Sequence, residues 1–232
     1  PTIDEAVTDA PSKGNQEGIF GFGNDASGYV GMSNLVSSAG VVGTDVTAVG
    51  TGLGSLSACE YGGDKGIFGF GHTASSPYMT GRTNLVSNTG VVGTDVTGVG
   101  TGREKTAACE YGGDKGIFGY GKNGATYYSI TNLVSNGGVV ASDQAATTGT
   151  ARQYPSACEY GDDKGIFGFG HDGSSYVGMT NLVSNTGVVA TDVTAVGTAR
   201  GWAAACGYDY DKGIFGFGYD GSALGMTNLV SN

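Results

Sequence analysis

The residues that could perform covalent or metal chemistry in this 232-residue chain are few, and they recur at regular intervals. Zinc sites need paired cysteines or nearby histidines, whereas these cysteines stand 48 to 50 residues apart without such neighbours. Each cysteine occupies the same place in a repeated motif, so a disulfide would have to cross between repeats. We predict free thiols that act as small buried residues at Cys59, Cys109, Cys158 and Cys206.

Catalysis requires several reactive groups at one place, and the sequence disperses them. His72 and His171 follow the same motif in repeats that are not adjacent. A glutamate at the same position of three repeats is typical of a scaffold and not of the paired carboxylates of a glycosidase. We therefore expect no enzymatic activity, no cofactor and no metal site.

Composition narrows the class of partner. The formal net charge of −10 and the absence of a basic stripe disfavour nucleic-acid binding. No apolar stretch approaches the roughly 18 residues of a spanning helix, so no membrane insertion is expected. The 46 glycines come with only 4 prolines and with 39% hydrophobic residues, which excludes collagen and disfavours disorder.

The sequence contains an internal repeat of 48 to 50 residues. The first repeated string is Gly-Ile-Phe-Gly-Phe/Tyr-Gly, and its five copies begin at Gly18, Gly66, Gly116, Gly165 and Gly213. A second string, Thr/Ser-Asn-Leu-Val-Ser, follows each of these copies and keeps the same phase. We number the repeats 1 to 5 by these copies.

Short β-branched and aromatic runs between Gly, Asn, Asp and Ser clusters predict four strands per repeat, named A to D. Simple alternation along strand B would place Phe68 and Phe70 on one face. The glycines of the A–B and C–D links predict tight turns with positive φ. In repeat 2 the predicted strands are 57–61 for A, 66–71 for B, 83–87 for C and 90–95 for D.

A four-stranded antiparallel unit with this period is typical of a β-propeller blade. We predict an all-β fold in which residues 1–232 form one five-bladed propeller. Residues 1–8 are expected to pair with the last blade and close the ring. A β-solenoid with two coils per repeat is the alternative architecture.

The order of strand A, glycine turn, strand B ending in glycines, and strands C and D before Ala151-Arg152 or Ala199-Arg200 resembles the kelch repeat. That resemblance spans nearly the whole chain and implies a β-propeller. The near-identical copies also resemble repetitive proteins of bacteriophages and environmental bacteria, some of them tail-fibre-like. This second resemblance implies a virion or extracellular location.

Comparison of the copies shows that almost all variation falls in the B–C and D–A segments, which a meander places on one face. Variable loops on a rigid scaffold suit recognition, and aromatic rings beside polar groups suit glycans or proteins. We therefore expect a non-enzymatic adhesion module for cell-surface carbohydrate; neutral drift of surface loops is the simpler explanation of the variation. A structural subunit that self-assembles or docks in a larger particle is the alternative function. The candidate ligand-binding residues are Trp202, Tyr154, Arg152, Arg200, Arg103, Tyr78, His72, Tyr127, Tyr128, His171, Tyr176 and Tyr219.

Overall fold

The structure, a computed structural model, describes residues 16–144, 149–195, 197–209 and 211–231. These residues form an all-β protein of small antiparallel sheets. None of them lies in a helix long and apolar enough to cross a membrane. The predicted closing strand, residues 1–8, lies outside the described residues.

Each of the five repeats forms its own sheet. Among the described residues repeat 1 is a two-stranded hairpin, and repeats 2 to 5 are three-stranded sheets with strand B in the centre. Repeat 3 has an extra small hairpin in its B–C segment. In chain order the strands are β1 (Gly18–Asp25), β2 (Gly28–Val36), β3 (Ser57–Tyr61), β4 (Lys65–Gly69), β5 (Thr83–Val86), β6 (Ala107–Tyr111), β7 (Lys115–Gly119), β8 (Lys122–Asn123), β9 (Thr126–Tyr127), β10 (Thr131–Val134), β11 (Ser156–Tyr160), β12 (Lys164–Gly168), β13 (Thr180–Val183), β14 (Ala204–Tyr208), β15 (Lys212–Gly216) and β16 (Thr227–Val230).

Strands A, B and C of repeat 2 are confirmed as β3, β4 and β5, but the predicted strand D is wrong as a regular strand. The segment makes only isolated bridges, from Val92 to Val86 and from Val96 to Thr83. These bridges enclose an unequal number of residues on the two sides, so the register slips and a continuous ladder cannot form. In repeats 2 to 4 the predicted four-stranded blades are therefore three-stranded sheets, each with an irregular fourth segment.

The predicted tight turns are confirmed. Gly62 and Gly63 join β3 to β4 with φ of 65° and 76°, and Gly90 follows β5 with φ of 76°. The A–B turns of successive repeats also contact each other, because the amide of Gly62 donates to the carbonyl of Asp114 at 2.7 Å. The turns therefore help to hold neighbouring sheets together.

Consecutive sheets pack face to face through their aromatic residues. Phe68 packs on Phe22 of repeat 1 at 5.2 Å between ring centroids, while Phe70 packs on Phe118 of repeat 3 at 5.1 Å. The expectation that Phe68 and Phe70 share a face is wrong, because Phe70 has a φ of 61°. This left-handed residue turns the second ring to the opposite face, so each repeat offers one ring to each neighbour.

Glycines in strand B allow this close approach. A Cβ added to Gly119 would lie 2.7 Å from Cζ of Phe167, and one added to Gly116 would lie 2.7 Å from Sγ of Cys59. The four cysteines are free, as predicted, but only Cys109 and Cys158 are buried, while Cys59 is half-buried and Cys206 is exposed. Burial raises the pKa of the Cys59 thiol to about 12, so this thiol is protonated at neutral pH.

The outward faces of repeats 1 and 5 have no such neighbour among the described residues. Phe20 is 64% exposed and Phe217 is 63% exposed, whereas their counterparts Phe118 and Tyr120 are fully buried. The stack of described sheets is therefore open at both ends.

Candidate functional site

The two variable segments meet at one end of each sheet. The start of each B–C segment pairs with the preceding D–A segment, through the bridges Gly54 to His72, Glu104 to Lys122, Gln153 to His171 and Gly201 to Tyr219. We call this end of the stack the loop surface. It contains the B–C segments 24–32, 72–82, 122–130, 171–179 and 219–226 and the D–A segments 53–56, 103–106, 152–155 and 201–204.

One position of the D–A segment has an unusual backbone in every copy. Ser55, Lys105, Tyr154 and Trp202 have φ between 52° and 58°. Hydrogen bonds link the first three, since the amide of Lys105 donates to the carbonyl of Ser55 and the amide of Tyr154 to that of Lys105. A left-handed conformation costs a residue with a side chain about 1–2 kcal/mol, which glycine would avoid. Large side chains are therefore held here against a local backbone preference.

The side chains from this position form a row that ends on the only tryptophan. Nζ of Lys105 lies 4.8 Å from the centroid of the Tyr154 ring, and the Tyr154 and Trp202 centroids are 3.9 Å apart with the rings inclined at 32°. Glu104 lies beside the row, with Oε1 at 3.4 Å from Nζ of Lys105. The row thus combines stacked rings with charged groups.

Two tyrosines from the B–C segments complete the cluster. Trp202 lies 5.8 Å from Tyr219 and 6.0 Å from Tyr176, measured between centroids, and His171 packs edge-on against Tyr176 at 5.0 Å. Trp202 is 50% exposed and Tyr219 is 42% exposed. We call Lys105, Tyr154, Trp202, Tyr176, Tyr219 and His171 the aromatic cluster.

Comparisons with known proteins name no family. No protein-family model matches the chain, and no curated protein matches it.

Other predicted site residues lie elsewhere on the loop surface. His72 and Tyr78 form a second group with Tyr29, with His72 at 5.8 Å from Tyr78 and 5.2 Å from Tyr29 between ring centroids. The half-buried Tyr127 lies between repeats, where its hydroxyl is 3.5 Å from Nε2 of Gln153. Tyr128 is also half-buried and its amide donates to Gly121.

The three predicted arginines, Arg103, Arg152 and Arg200, do not belong to an exposed site, because all are fully buried. Arg103 donates to the carbonyls of Tyr120 and Thr101 and to Oδ1 of Asn132 at 2.7 to 3.1 Å. Its guanidinium carbon lies 4.3 Å from the Phe70 ring centroid. Each arginine thus joins two repeats, and we remove all three from the candidate ligand-binding set.

Lys105 is missing from the predicted set and belongs in it. Its signal in the sequence is positional, because Lys105 aligns with Tyr154 and Trp202 in the D–A segments. Alignment by residue type obscures this relation, because the copies carry Ser, Lys, Tyr and Trp there.

Proposed function

We propose that this protein is a non-enzymatic recognition module that binds carbohydrate through the aromatic cluster. The observation that carries the proposal is the exposure of Trp202, which is 50% exposed although its ring stacks on Tyr154. Tyr219 flanks the Trp202 ring, and Trp202 itself has a left-handed backbone conformation. Aromatic rings supply rigid apolar area for the C–H face of a sugar ring, and neighbouring polar groups fix its orientation.

The left-handed backbone recurs at Ser55, Lys105, Tyr154 and Trp202, so it is common to the repeats and only the side chain changes. The proposal therefore rests on the aromatic side chains that two of the four copies carry at this position. Trp202 and Tyr219 are both exposed and lie next to each other, and contiguous exposed apolar surface is typical of interaction sites.

Charge narrows the class of glycan. The chain carries a net charge of −10, which repels polyanionic chains such as sulfated or polysialylated glycans. Hydrogen-bonding groups in the same segments include Lys105, His171, Asp172 and Asp220. We therefore propose a neutral glycan, displayed on a cell surface and met by an extracellular or virion-borne protein.

The five-bladed closed propeller remains a prediction, and the proposed function does not depend on it. Stacked repeats place the D–A and B–C segments on one side whether the stack is open or closed. The kelch-like and phage-like resemblances likewise remain expectations.

A glycan array tests the proposal. The unmodified chain is expected to bind a restricted group of neutral glycans, and Trp202→Ala is expected to weaken that binding at least tenfold because it removes the stacking surface. Val91→Ala is the control, since Val91 is 64% exposed but follows the C–D turn and lies outside the loop surface. Absence of glycan binding by the unmodified chain, or equal binding by Trp202→Ala, would contradict the proposal.

A further inference from the structure

We propose that the outward face of repeat 5 docks the outward face of repeat 1 of a second copy of this chain, so that copies stack head to tail. The inference is independent of carbohydrate binding, because it uses the sheet faces and not the loop surface.

The template is the contact between neighbouring repeats, which the chain shows repeatedly. The first ring of strand B in one repeat packs on the second ring of the repeat before it, at 5.1 to 5.3 Å between centroids. The same ring covers the central glycine of the preceding strand B, as Phe167 covers Gly119. In strand A, the Sγ of each internal cysteine lies against the first glycine of the next strand B, as Cys109 lies against Gly165.

The outward face of repeat 5 has the residue types that each internal repeat presents to the repeat after it, but no later repeat covers them among the described residues. We call this side of the contact the leading half and the side that the next repeat contributes the trailing half. Phe217 is 63% exposed, Leu229 is 68% exposed and Cys206 is exposed. A Cβ added to Gly216 would meet only Thr227, at 3.6 Å, so no ring from another repeat covers this glycine among the described residues. The face is therefore apolar at these positions, and no side chain of another repeat covers its central glycine among the described residues.

The outward face of repeat 1 carries the trailing half. Phe20 is 64% exposed, and a Cβ added to Gly18 would meet only Val36 among the described residues. Gly40 is the counterpart of Gly138, where an added Cβ would contact Leu85 of the preceding repeat. A Cβ added to Gly40 would meet no described residue within 4 Å. In a stacked pair, Phe20 of one copy would therefore contact Gly216 and Phe217 of the other. Gly18 would contact Cys206, and Gly40 would contact Leu229.

This complementarity selects a second copy over an unrelated partner. Both halves come from the same repeated sequence, and the internal contacts show that the halves fit each other. Contact between two different faces is heterologous, so it propagates into filaments or closes into rings of several chains. The experiment must distinguish this contact between two copies from a ring within one chain, in which Phe217 would meet Phe20 of the same molecule.

A cysteine placed at Gly18 makes the contact visible. A Cβ on Gly116 would lie 2.7 Å from Sγ of Cys59, so in a stacked pair the thiol introduced by Gly18→Cys falls within bonding range of Cys206. Oxidation by diamide joins the two thiols, and diamide takes up the two electrons and two protons. We expect a ladder of covalent oligomers on a non-reducing gel, which disappears in the double variant Gly18→Cys with Cys206→Ser.

Two results with this variant would overturn the proposal. A covalent monomer that migrates faster would show ring closure within one chain, and absence of any bond between the introduced thiol and Cys206 would show that another segment covers the faces. Ser27→Cys, at the exposed tip of the first hairpin, controls for random thiol collision. A ladder of equal yield from that control would also overturn it.

Sedimentation velocity tests the unmodified chain without a cross-link. We expect oligomers that grow with concentration, and at least a tenfold weaker association in Phe217→Asp. The control Val91→Asp also introduces a charge at an exposed valine but leaves the outward faces intact, so its association is expected to be unchanged. A monomer at every concentration, or equal weakening by both variants, contradicts the proposal.

Discussion

At the scale of single residues, the buried arginines link neighbouring repeats through hydrogen bonds and ring contacts. Arg152 donates to the carbonyl of Thr150 and to Oδ1 of Asn181, and its guanidinium carbon lies 3.9 Å from the Tyr120 ring centroid. Burial lowers the pKa of this guanidinium. The first junction shows what its absence does, because Leu53 occupies the equivalent position and Oδ1 of Asn84 is left without a hydrogen-bond partner among the described residues.

Arg152→Met should therefore destabilise the fold. The change keeps much of the apolar volume but leaves Asn181 Oδ1 without its donor, so we expect a loss of about 1–3 kcal/mol in the free energy of unfolding. Urea denaturation measures this loss. Arg82→Met is the control, because the Arg82 side chain is 43% exposed and its ion pair with Asp95 should contribute less than about 1 kcal/mol. Equal losses in the two variants would refute the role of the buried site.

The arginines also mark a limit of sequence reasoning at this scale. Their position in a variable segment predicts exposure, and charged residues are usually exposed. What the sequence does not reveal is that Asn132, Asn181 and Asn228 supply the acceptors that make burial of a guanidinium tolerable. Those partners lie 28 or 29 residues further along the chain.

At the scale of the strand, the glycines of strand B set the spacing between sheets. Gly119 and Gly216 occupy the same place in repeats 3 and 5, but only Gly119 lies under a ring of the next repeat. Neither has a positive φ, so a substitution at these two positions tests close approach and not backbone freedom.

Gly119→Ala is expected to destabilise the protein by about 1–3 kcal/mol, because the new methyl group would meet the Phe167 ring. Gly216→Ala should change the unfolding free energy by less than about 0.5 kcal/mol. Thermal or urea unfolding of the two variants gives the comparison. Equal losses of unfolding free energy in the two variants would contradict the contact between Gly119 and Phe167.

Repeat phase, antiparallel hairpins and positive-φ turns can be predicted from the sequence, since they depend on local residue types. Strand D is overpredicted, because Val91 and Val92 have strand propensity but their ladder slips by one residue. The face to which the Phe70 ring points cannot be predicted from the sequence either. Nothing in the letters Gly-Phe-Gly shows that the aromatic residue itself adopts the left-handed conformation.

At the scale of the whole molecule, carboxylates clamp consecutive repeats together. Asp143 accepts from the hydroxyl and amide of Thr101, just before the D–A segment 103–106, and from Nδ2 of Asn132. Partial burial raises the pKa of Asp143, but these hydrogen bonds outweigh it and the pKa is lowered overall. Asp95 and Asp192 have equivalent partners and the same direction of shift.

This linkage predicts loss of stability in acid. A carboxyl group whose pKa is lower in the folded state stabilises the fold above its unfolded pKa of about 3.9, and the contribution disappears as the pH falls through the folded value. The melting temperature should therefore fall as the pH drops below about 4, and Asp143→Asn should reduce this dependence. Among the described residues Asp45 accepts only from Asn34, so Asp45→Asn serves as the control. An identical pH dependence in the Asp143→Asn variant and the unmodified chain would refute the clamp.

Carbohydrate binding by the aromatic cluster can be tested with a probe that the chain itself contains. Trp202 is the only tryptophan, so its intrinsic fluorescence reports on the cluster without a label. Titration with the best neutral glycan from the array should give a saturable fluorescence change, with affinity at least tenfold weaker in Tyr154→Ala. A glycan that binds by calorimetry but leaves the fluorescence of Trp202 unchanged, with equal affinity for Tyr154→Ala, would contradict the account.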